Sequence, residues 1–442
     1  MTADGETTRA GREKLRMDTP AAFSVPDRYS TTKAGRPKLE LDISEAAVSA
    51  GADESVLVLD DAAWERVIVA TGGAAAPCFQ CGVCTAICPW GLVRPEPVVI
   101  RRLLREAQLG APGWEEALWL CTSCRQCALQ CPRGVDVPGV IRSLRALAWR
   151  EGKAPAGLPT LLWNIYWDGN PYGRPPSQRT AWMKDAPLPT FAPDQDILLY
   201  IGCAGNYDRR IQKVVRAVVT ALRAADVAFG VLGDDEPCCG EAARSVGQVA
   251  FADALAAEGS RLFRERGVRT VVTISPHCLE QFVRHYDMPE GFRAVHYTAY
   301  LRELLEAGRL KLAGAVAERV TFQDPCYLGR GLGDYESPRH VLMSVPGVEL
   351  VEMAHSREDS ICCGGGGGRM WMETPASQRF AALRVQEAVA AGAEVLATAC
   401  PNCISCIEDA LPPGGGLRVA DVAELVAQSL TASELAARER TT

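Results

Sequence analysis

Eighteen cysteines in a chain of 442 residues are the feature of this sequence that most directly indicates chemistry. They fall into four groups, two of which are short quartets and two of which contain a pair of adjacent cysteines. The groups are Cys78, Cys81, Cys84 and Cys88; Cys121, Cys124, Cys127 and Cys131; Cys203, Cys238, Cys239 and Cys278; and Cys326, Cys362, Cys363, Cys400, Cys403 and Cys406. Such spacings predict iron–sulfur clusters, and therefore a protein that carries electrons.

Each quartet has the spacing C-x2-C-x2-C-x3-C-P of bacterial two-cluster ferredoxins. In that arrangement three thiolates bind three irons of one [4Fe–4S] cube, and the fourth cysteine reaches the other cube. The predicted ligand sets are Cys78, Cys81, Cys84 and Cys131 for cluster 1, and Cys121, Cys124, Cys127 and Cys88 for cluster 2. Zinc is the main alternative, but it prefers two C-x2-C pairs to two four-cysteine runs.

Composition and charge argue against several functional classes. The net charge of −7 argues against a nucleic-acid partner, because neutralising phosphates requires clustered Lys and Arg. The longest apolar candidate, residues 214–231, is interrupted by Arg216, Arg223 and Asp226, so no segment should span a bilayer. The first 30 residues lack the apolar core of a secretory signal. We therefore expect a cytoplasmic chain whose thiols favour metal over disulfides.

Changes in composition divide the chain into six segments. They are an N-terminal arm and docking segment (1–70), a helical two-cluster ferredoxin-like domain (71–152), a Pro-rich connector that wraps across a surface (153–193), a first α/β domain (194–310), a second α/β domain (311–430) and a polar tail (431–442). In the ferredoxin-like domain, apolar residues at helical spacing predict helices over residues 97–109 and 138–151.

The two α/β domains are copies of one unit. Cysteines recur after 122 to 124 residues, in the pairs Cys203 and Cys326, Cys238 and Cys362, and Cys278 and Cys400. In each copy every cysteine group follows a predicted apolar strand. Open α/β sheets bind ligands where the carboxyl ends of their strands meet, so three such loops would bring distant thiols together. The predicted fold class is α+β and multidomain, a helical ferredoxin domain followed by two pseudo-symmetric α/β domains.

The two copies differ in their number of thiols. The second copy offers five candidate ligands, one more than a cube requires: Cys326, Cys362, Cys363, Cys400 and Cys403. Cys406 is either a sixth ligand or a buried thiol. The first copy offers only Cys203, Cys238, Cys239 and Cys278, with Gln281 expected where the second copy has Cys403. The first site should therefore hold a four-thiolate cluster or zinc, or be vestigial.

These motifs together resemble those of the heterodisulfide reductase family. The spacings C-x34-CC-x38-C and C-x35-CC-x36-C-x2-C are similar to its CCG-domain signature. The stretches FQCGVCTAICPWG, WLCTSCRQCALQCPRGV, DPCYLGRG and CCGGGGGRMWME extend the likeness from about residue 77 to about residue 410. The chain resembles a fusion of the family's ferredoxin-like C subunit with its catalytic B subunit, as in the D subunit of the membrane-linked enzyme.

The resemblance implies a noncubane [4Fe–4S] cluster in the second CCG domain, held by Cys326, Cys362, Cys363, Cys400 and Cys403. In the family this cluster cleaves disulfides, so the implied substrate is a disulfide or a sulfur-carrier protein. The departure expected at Gln281 argues against a second such cluster. The resemblance also implies a hetero-oligomer with a redox partner, either a membrane haem-b/quinone subunit or a flavoprotein, through which the chain lies peripheral to the inner membrane.

Residues beside the cysteines are further candidates. Gly364 and Gly365 begin a glycine run that would let backbone N–H groups approach cluster sulfurs, although such a run also suits a phosphate cradle or a turn. Arg330 and Arg369 would steer an anionic thiol substrate or compensate cluster charge, unless they are ordinary structural arginines. The five histidines show no ligand spacing, so His277 is expected to be a core or surface residue.

Three functional classes are compatible with these motifs. The leading hypothesis is the iron–sulfur catalytic subunit of a heterodisulfide-reductase-like complex. The alternative is an electron-transfer subunit of an FAD-dependent glycolate or lactate oxidase, or of a complex linked to an electron-transferring flavoprotein, passing electrons to quinone. A zinc-stapled scaffold is a third class. No G-x-G-x-x-G follows a predicted strand, so electrons are expected from another subunit rather than from a bound flavin or nicotinamide.

Overall fold

The computed structural model describes residues 7–8, 12–13, 61–96, 98–109, 115–184 and 187–430. Most of the predicted arm and docking segment, and the whole predicted tail, lie outside the described residues. In the arm, two short antiparallel strands are described, β1 Thr7–Thr8 and β2 Arg12–Glu13. Every helix in the described ranges is too short or too polar to span a membrane.

The cysteine quartets lie in a helical region, as the sequence predicts. Its described helices are α1 Asp61–Thr71, α2 Val83–Ala86, α3 Trp90–Val93, α4 Ile100–Leu109, α5 Glu115–Leu120, α6 Gln126–Leu129 and α7 Val137–Arg150. Helices α4 and α7 confirm the two predicted helices, with ends that differ by at most three residues. α4 buries Leu103, Leu104 and Ala107 on one face and leaves its arginines exposed on the other, so amphipathicity orients it.

The segment predicted to be a surface connector contains a buried helix, α8 Leu158–Asp168. Trp163, Tyr166 and Trp167 pack against one another along it, and the first two are almost fully buried. Gly169, in the left-handed conformation, ends the helix. The expectation of a surface wrap was wrong for this stretch, because its large aromatic side chains gain more from burial than from lying on a surface.

The first CCG-like unit is a four-stranded parallel sheet flanked by helices. Its strands are β3 Ile197–Tyr200, β4 Phe229–Gly230, β5 Thr270–Thr273 and β6 Arg293–His296, in the order β4-β3-β5-β6. Its helices are α9 Gly202–Tyr207, α10 Arg209–Ala224, α11 Glu241–Ser245, α12 Val249–Glu265, α13 Pro276–Arg284 and α14 Tyr297–Glu306. The cysteines follow β3, β4 and β5, at the carboxyl edge of the sheet.

The second unit repeats this topology, which confirms the predicted fold class. Its strands are β7 Arg319–Phe322, β8 Glu349–Val351, β9 Val395–Thr398 and β10 Arg418–Asp421, in the order β8-β7-β9-β10. Its α-helices are α15 Glu336–Met343, α16 Phe380–Ala390, α17 Pro401–Glu408 and α18 Val422–Ser429. Within this unit a π-helical turn spans Tyr327–Gly331, and 3₁₀ turns span Arg357–Asp359, Arg369–Trp371 and Ala376–Gln378. Earlier in the chain, 3₁₀ turns span Pro176–Gln178, Ala181–Met183 and Gly233–Asp235.

The register of the two sheets corrects the alignment of the copies. β5 and β9 begin 125 residues apart (270 to 395), and α13 and α17 also begin 125 residues apart (276 to 401). By this register Cys278 corresponds to Cys403, and Ser275 stands where the second copy has Cys400. The predicted equivalence of Cys278 with Cys400 was therefore wrong.

Gln281 moves with this correction. By the same interval of 125 residues it corresponds to Cys406, not to Cys403 as predicted (281 to 406). The reason is that spacing alone matched the first cysteine of each loop, whereas the strand and the helix on either side fix the register. Gln281 lies buried in α13, where its Oε1 accepts a hydrogen bond from Arg244 Nε at 2.8 Å.

Helix α10 joins the two copies. Its apolar face is buried, and α10 packs against α18 of the second copy. At its N-terminus Arg210 binds Glu408 at 2.5 Å and Glu424 at 2.8 Å, both from the second copy. The carboxyl edges of the two sheets are thus held close to each other.

Candidate iron–sulfur centres

Both ferredoxin loops contain non-glycine residues in the left-handed backbone region. Gln80 has φ 65°, Ser123 has φ 54° and Arg125 has φ 65°, while Gly82, at the position equivalent to Arg125, has φ 87°. Such strained conformations persist only where the surroundings over-determine them, and they cluster at functional sites. The strain lies between the cysteines, where it turns each loop around a common centre.

Backbone N–H groups also point at sulfur in these loops. Ser123 N donates to Cys121 Sγ, and Val135 N donates to Cys131 Sγ, each at 3.4 Å. Hydrogen bonds to ligand sulfurs are among the features that tune iron–sulfur centres. The donor set therefore fits the cofactor that the spacing predicts.

The fourth cysteine of the first quartet lies with the second quartet. Burial raises the pKa of Cys88 to about 12, and the neighbouring thiols Cys124 and Cys121 contribute to the rise. Cys84 instead has Cys78 and Cys81 as neighbours. This placement supports the predicted crossing of Cys88 to cluster 2, while the ligand sets themselves stay predictions.

The five candidate ligands of the second copy meet at the carboxyl edge of its sheet, and all are buried. Their thiols form a continuous series of neighbours, running Cys326, Cys362, Cys363, Cys403 and Cys400. Cys326 directly precedes the π-helical turn, a conformation found frequently at functional sites. The structure thus brings together the residues that the sequence selected.

Two of these thiols are disposed to be thiolates, the form in which cysteine binds metal. Hydrogen bonds from Cys124 and Cys326 lower the pKa of Cys362. Burial raises the pKa of Cys400, but hydrogen bonds with Cys403 and His277 outweigh it and leave that pKa well below its usual value.

The ferredoxin domain touches the second copy at its cysteines. The thiols of Cys124 and Cys362 are neighbours, although one belongs to the predicted cluster 2 and the other to the predicted noncubane site. Arg330 reinforces this junction, since its Nε donates to the carbonyl of Cys124 at 2.6 Å and its Nη1 to that of Ser360 at 2.8 Å. Its charge also lies near Cys326, which favours charge compensation over substrate steering.

The glycine run, residues 364–368, packs against the ferredoxin domain at the same junction. A Cβ at Gly366 would lie 2.3 Å from the carbonyl oxygen of Thr122, and one at Gly367 would lie 2.2 Å from that of Cys121. No side chain fits there, so glycine is required for backbone to meet backbone. The run is thus an interface with a cysteine loop, which distinguishes it from a phosphate cradle or an unrestrained turn.

The first two glycines of the run, Gly364 and Gly365, lie against cysteines of the second copy. Gly364 N donates to Cys362 Sγ at 3.3 Å, as predicted for an N–H group aimed at a ligand sulfur. A Cβ at Gly365 would lie 2.8 Å from Cys406 Sγ. Cys406 is half-buried, and its Sγ lies 3.5 Å from Met370 Sδ, so the structure places it in the wall of the site without deciding between a sixth ligand and a packed thiol.

A cavity of about 440 Å³ opens beside Cys363, within the size range of small-molecule sites. Cys406 and Met370 contribute sulfur to its wall, and Arg379 contributes charge. Arg369 also lines it, with its Nη2 donating to the carbonyl of Glu373 at 2.7 Å. Its Nε is buried and has no partner among the described residues.

Arg145 is a site residue that the cysteine spacing did not single out. It is fully buried, and its Nη1 donates to the carbonyls of Ser245 at 2.7 Å and Gly367 at 2.8 Å, while its Nη2 donates to that of Cys121 at 2.7 Å. One side chain therefore joins the ferredoxin domain to both copies. The sequence feature that could have identified Arg145 is a charged residue on the apolar face of α7, three residues before Ala148.

His277 links the first copy to the second site. Its ring stacks on Tyr327 with centroids 3.8 Å apart, its Nε2 lies 3.3 Å from Asn402 Nδ2, and it lies beside the thiol of Cys400. The expectation of an ordinary core or surface histidine therefore missed its contact with a candidate ligand. Spacing could not reveal this contact, because the two residues come from different copies.

The four cysteines of the first copy also meet. Three are buried and Cys203 is half-buried, and they adjoin a cavity of only about 80 Å³. Among the described residues, no group of three or more His, Cys, Asp or Glu side chains is arranged to hold a single metal ion. A cluster distributes its thiolates over several irons, so its ligands need not converge on one point.

Known proteins match this chain across the same regions. The 4Fe-4S dicluster domain model matches residues 74–135, and the cysteine-rich CCG domain model matches residues 197–283 and 320–408. Relatives include the "Probable membrane-anchored ferredoxin" of Chromohalobacter salexigens, 34% identical over 80% of this chain and 59% of its own length. The "EtfAB:quinone oxidoreductase" of Syntrophomonas wolfei is 31% identical over 70% of this chain and 46% of its own length. The chain thus spans about half the length of these two relatives.

A further relative is covered more fully. It is the D subunit of the dihydromethanophenazine:CoB--CoM heterodisulfide reductase of Methanosarcina acetivorans, 32% identical over 70% of this chain and 77% of its own length.

Proposed function

The chain belongs to the heterodisulfide-reductase-related iron–sulfur oxidoreductases, whose 4Fe-4S dicluster and CCG domains it carries. From that premise we propose that it relays electrons from its ferredoxin domain to its second CCG domain, where a disulfide-type substrate is reduced or, in reverse, formed. The proposed cofactors are two [4Fe–4S] cubes on the quartets and one noncubane [4Fe–4S] cluster on Cys326, Cys362, Cys363, Cys400 and Cys403.

The observation that carries this proposal is the contact between Cys124 and Cys362. A ligand of cluster 2 and a ligand of the noncubane cluster would then be adjacent, so an electron would cross between them over a short distance. Arg330 and the glycine run hold this junction without intervening side chains.

The cavity beside Cys363 supports a substrate at the far side of this site. Reduction of a disulfide takes two electrons, and the clusters would supply them one at a time. The residues of the chain would bind the substrate: Met370 and Phe380 offer apolar contact, and the positive charges of Arg369 and Arg379 suit an anionic group.

The proposed partner is a redox subunit, either a membrane haem-b/quinone subunit or a flavoprotein, in a hetero-oligomer associated with the inner membrane. The names of the relatives support this, since one is called membrane-anchored and another is a quinone oxidoreductase. The latter name also favours a second candidate function, in which the chain passes electrons between a flavoprotein and quinone.

The two candidates separate in one assay. The purified chain would be reduced with dithionite-treated viologen and offered small disulfides or a soluble quinone. We expect viologen oxidation with a disulfide, and its loss in Cys363→Ala while both cubes stay reducible by electron paramagnetic resonance (EPR). Cys406→Ala, which changes the same cavity wall outside the ligand set, should retain its clusters. Oxidation by quinone alone would favour the second candidate, whereas disulfide turnover retained in Cys363→Ala would contradict the assignment of the reaction to this site.

A further inference from the structure

The two CCG sites differ at one structurally equivalent position. Ser275 and Cys400 both follow a strand in extended backbone, with φ −119° and −152°, and both precede a helix that begins with proline. Each carbonyl accepts the same helical hydrogen bond, from Leu279 N at 3.0 Å and Ile404 N at 3.1 Å. The hydroxyl of Ser275 therefore starts from the same point of the fold as the thiol of Cys400.

The side-chain contacts of the two sites match one for one. In the second copy the neighbours run Cys326, Cys362, Cys363, Cys403 and Cys400. In the first copy they run Cys203, Cys238, Cys239, Cys278 and Ser275. The first copy thus retains the whole arrangement, with oxygen in place of sulfur at its last member.

Ser275 is free to serve this site because it does not cap its helix. Serine before the first turn of a helix ordinarily accepts a hydrogen bond from a backbone N–H two or three residues on. Ser275 makes no such bond, and its side chain lies beside the thiol of Cys278 instead. A serine whose only role was to cap the helix would instead accept a hydrogen bond from a backbone N–H of the first turn.

The surroundings of the first site are rigid and partly cationic. Arg179 is only 2% exposed, lies near Cys203 and binds Glu236 at 3.1 Å. Glu236 in turn accepts hydrogen bonds from Ile201 N and Gly202 N at 2.9 Å each, which fixes the start of the Cys203 loop. A buried arginine beside Cys203 suits a site that becomes anionic when its ligands lose their protons.

We propose that the first CCG domain binds an iron–sulfur cluster of its own, with Ser275 Oγ as a ligand beside the thiolates of Cys203, Cys238, Cys239 and Cys278. Its cavity of about 80 Å³ is walled by the glycine run of the second copy and by Trp371, so this centre exchanges electrons and does not bind substrate. The inference goes beyond the proposed disulfide chemistry, which requires only the second copy.

The first test is the iron and acid-labile sulfide content of the full-length chain, purified without oxygen. We expect Cys239→Ala to lose about four irons per chain, the content of one cluster. Cys363→Ala, the equivalent change in the second copy, should lose a similar amount and a different EPR signal. Equal iron in Cys239→Ala and the unmodified chain, or zinc at the first site, would overturn the proposal.

The second test isolates the ligand oxygen. Ser275→Cys should keep the iron content and shift the EPR signal and midpoint potential of the first cluster, because thiolate is a softer ligand than oxygen. The control is Gln281→Cys, at the position that cysteine spacing alone pairs with Cys403, and it should leave that signal unchanged. A signal that is identical in Ser275→Cys, or that changes only in Gln281→Cys, would refute the role of Ser275. The iron content, EPR signal and midpoint potential of the first cluster do not depend on disulfide turnover, so they test this proposal separately from the proposed function.

Discussion

Arg330 places a positive charge at the junction between the ferredoxin domain and the second CCG domain. Its guanidinium hydrogen-bonds to three carbonyls, those of Cys124, Glu358 and Ser360, and lies near the thiols of Cys326 and Cys362. A fixed cation stabilises the more negative, reduced form of a nearby cluster. At the scale of single residues, this charge should set how easily an electron reaches the second site.

We therefore predict that Arg330→Met lowers the reduction potential of the clusters on both sides of the junction. A loss of about 1 kcal/mol corresponds to roughly 40 mV for a one-electron couple, and redox titration followed by EPR would measure it. Arg330→Lys is the control, since it keeps the charge but cannot hold two carbonyls with one planar fork. Equal shifts in both variants would mean that geometry, not charge, controls the potential.

At the scale of elements, the glycine run determines how closely the cysteine loops of two domains approach. Gly367 and Gly333 both have positive φ, 62° and 80°, so alanine is strained at either position. A Cβ at Gly367 would clash with the carbonyl of Cys121, whereas a Cβ at Gly333 would have no atom within 4 Å. The pair separates the cost of backbone strain from the cost of lost contact.

We predict that Gly367→Ala slows electron transfer from the ferredoxin domain to the second site and lowers the free energy of unfolding by about 1–3 kcal/mol more than Gly333→Ala. The transfer rate would be followed by freeze-quench EPR after rapid reduction. The same rate in both variants would show that the close approach at Gly367 is not needed for transfer.

The elements also show what the sequence could and could not predict. The quartets and the cysteine pairs were predictable because consecutive ligands are fixed by local spacing, and the strands before them by short apolar runs. The proposed role of Ser275 was not predictable from cysteine spacing. The alignment of the two copies depends on the residues at which β5 and α13 begin, which the structure shows. Helix α8 was missed because its proline and aromatic content also suits a surface loop.

At the scale of the whole molecule, Arg145 makes the three domains one structure. Its guanidinium binds carbonyls of the ferredoxin domain, of the first copy at Ser245 and of the second copy at Gly367. We predict that Arg145→Met destabilises the chain by about 3 kcal/mol or more, since buried carbonyls lose their donors. Unfolding should also become biphasic when ferredoxin absorbance and far-ultraviolet circular dichroism are compared. A single coincident transition would argue against Arg145 as the link.

The copies are joined elsewhere by a buried carboxyl that should make stability depend on pH. Asp421 Oδ1 accepts hydrogen bonds from Tyr297 Oη of the first copy at 2.6 Å and from Ala423 N at 2.9 Å. Its Oδ2 has no partner among the described residues. Burial raises the pKa of Asp421 to about 7, above its unfolded value of about 3.9, so the native carboxyl keeps its proton over this range.

The sign follows from proton binding. Between about pH 4 and 7 the native state binds a proton that the unfolded state has lost, so the free energy of unfolding contributed by Asp421 falls as pH rises through about 7. The position equivalent to Asp421 in the first copy is His296 (296 to 421), and burial lowers its pKa to about 3. Its contribution has the opposite slope, since stability is lost as pH falls below about 6.5.

We predict that Asp421→Asn flattens the decline of stability as pH rises from about 4 to about 7, and that His296→Gln flattens the loss of stability as pH falls below about 6.5. Urea unfolding of each variant and of the unmodified chain, at several pH values without oxygen, would give the slopes. Because the groups occupy equivalent helix caps, each variant is the control for the other. If both variants changed the slope of stability against pH in the same direction, the two buried cap groups would not be the source of the pH dependence.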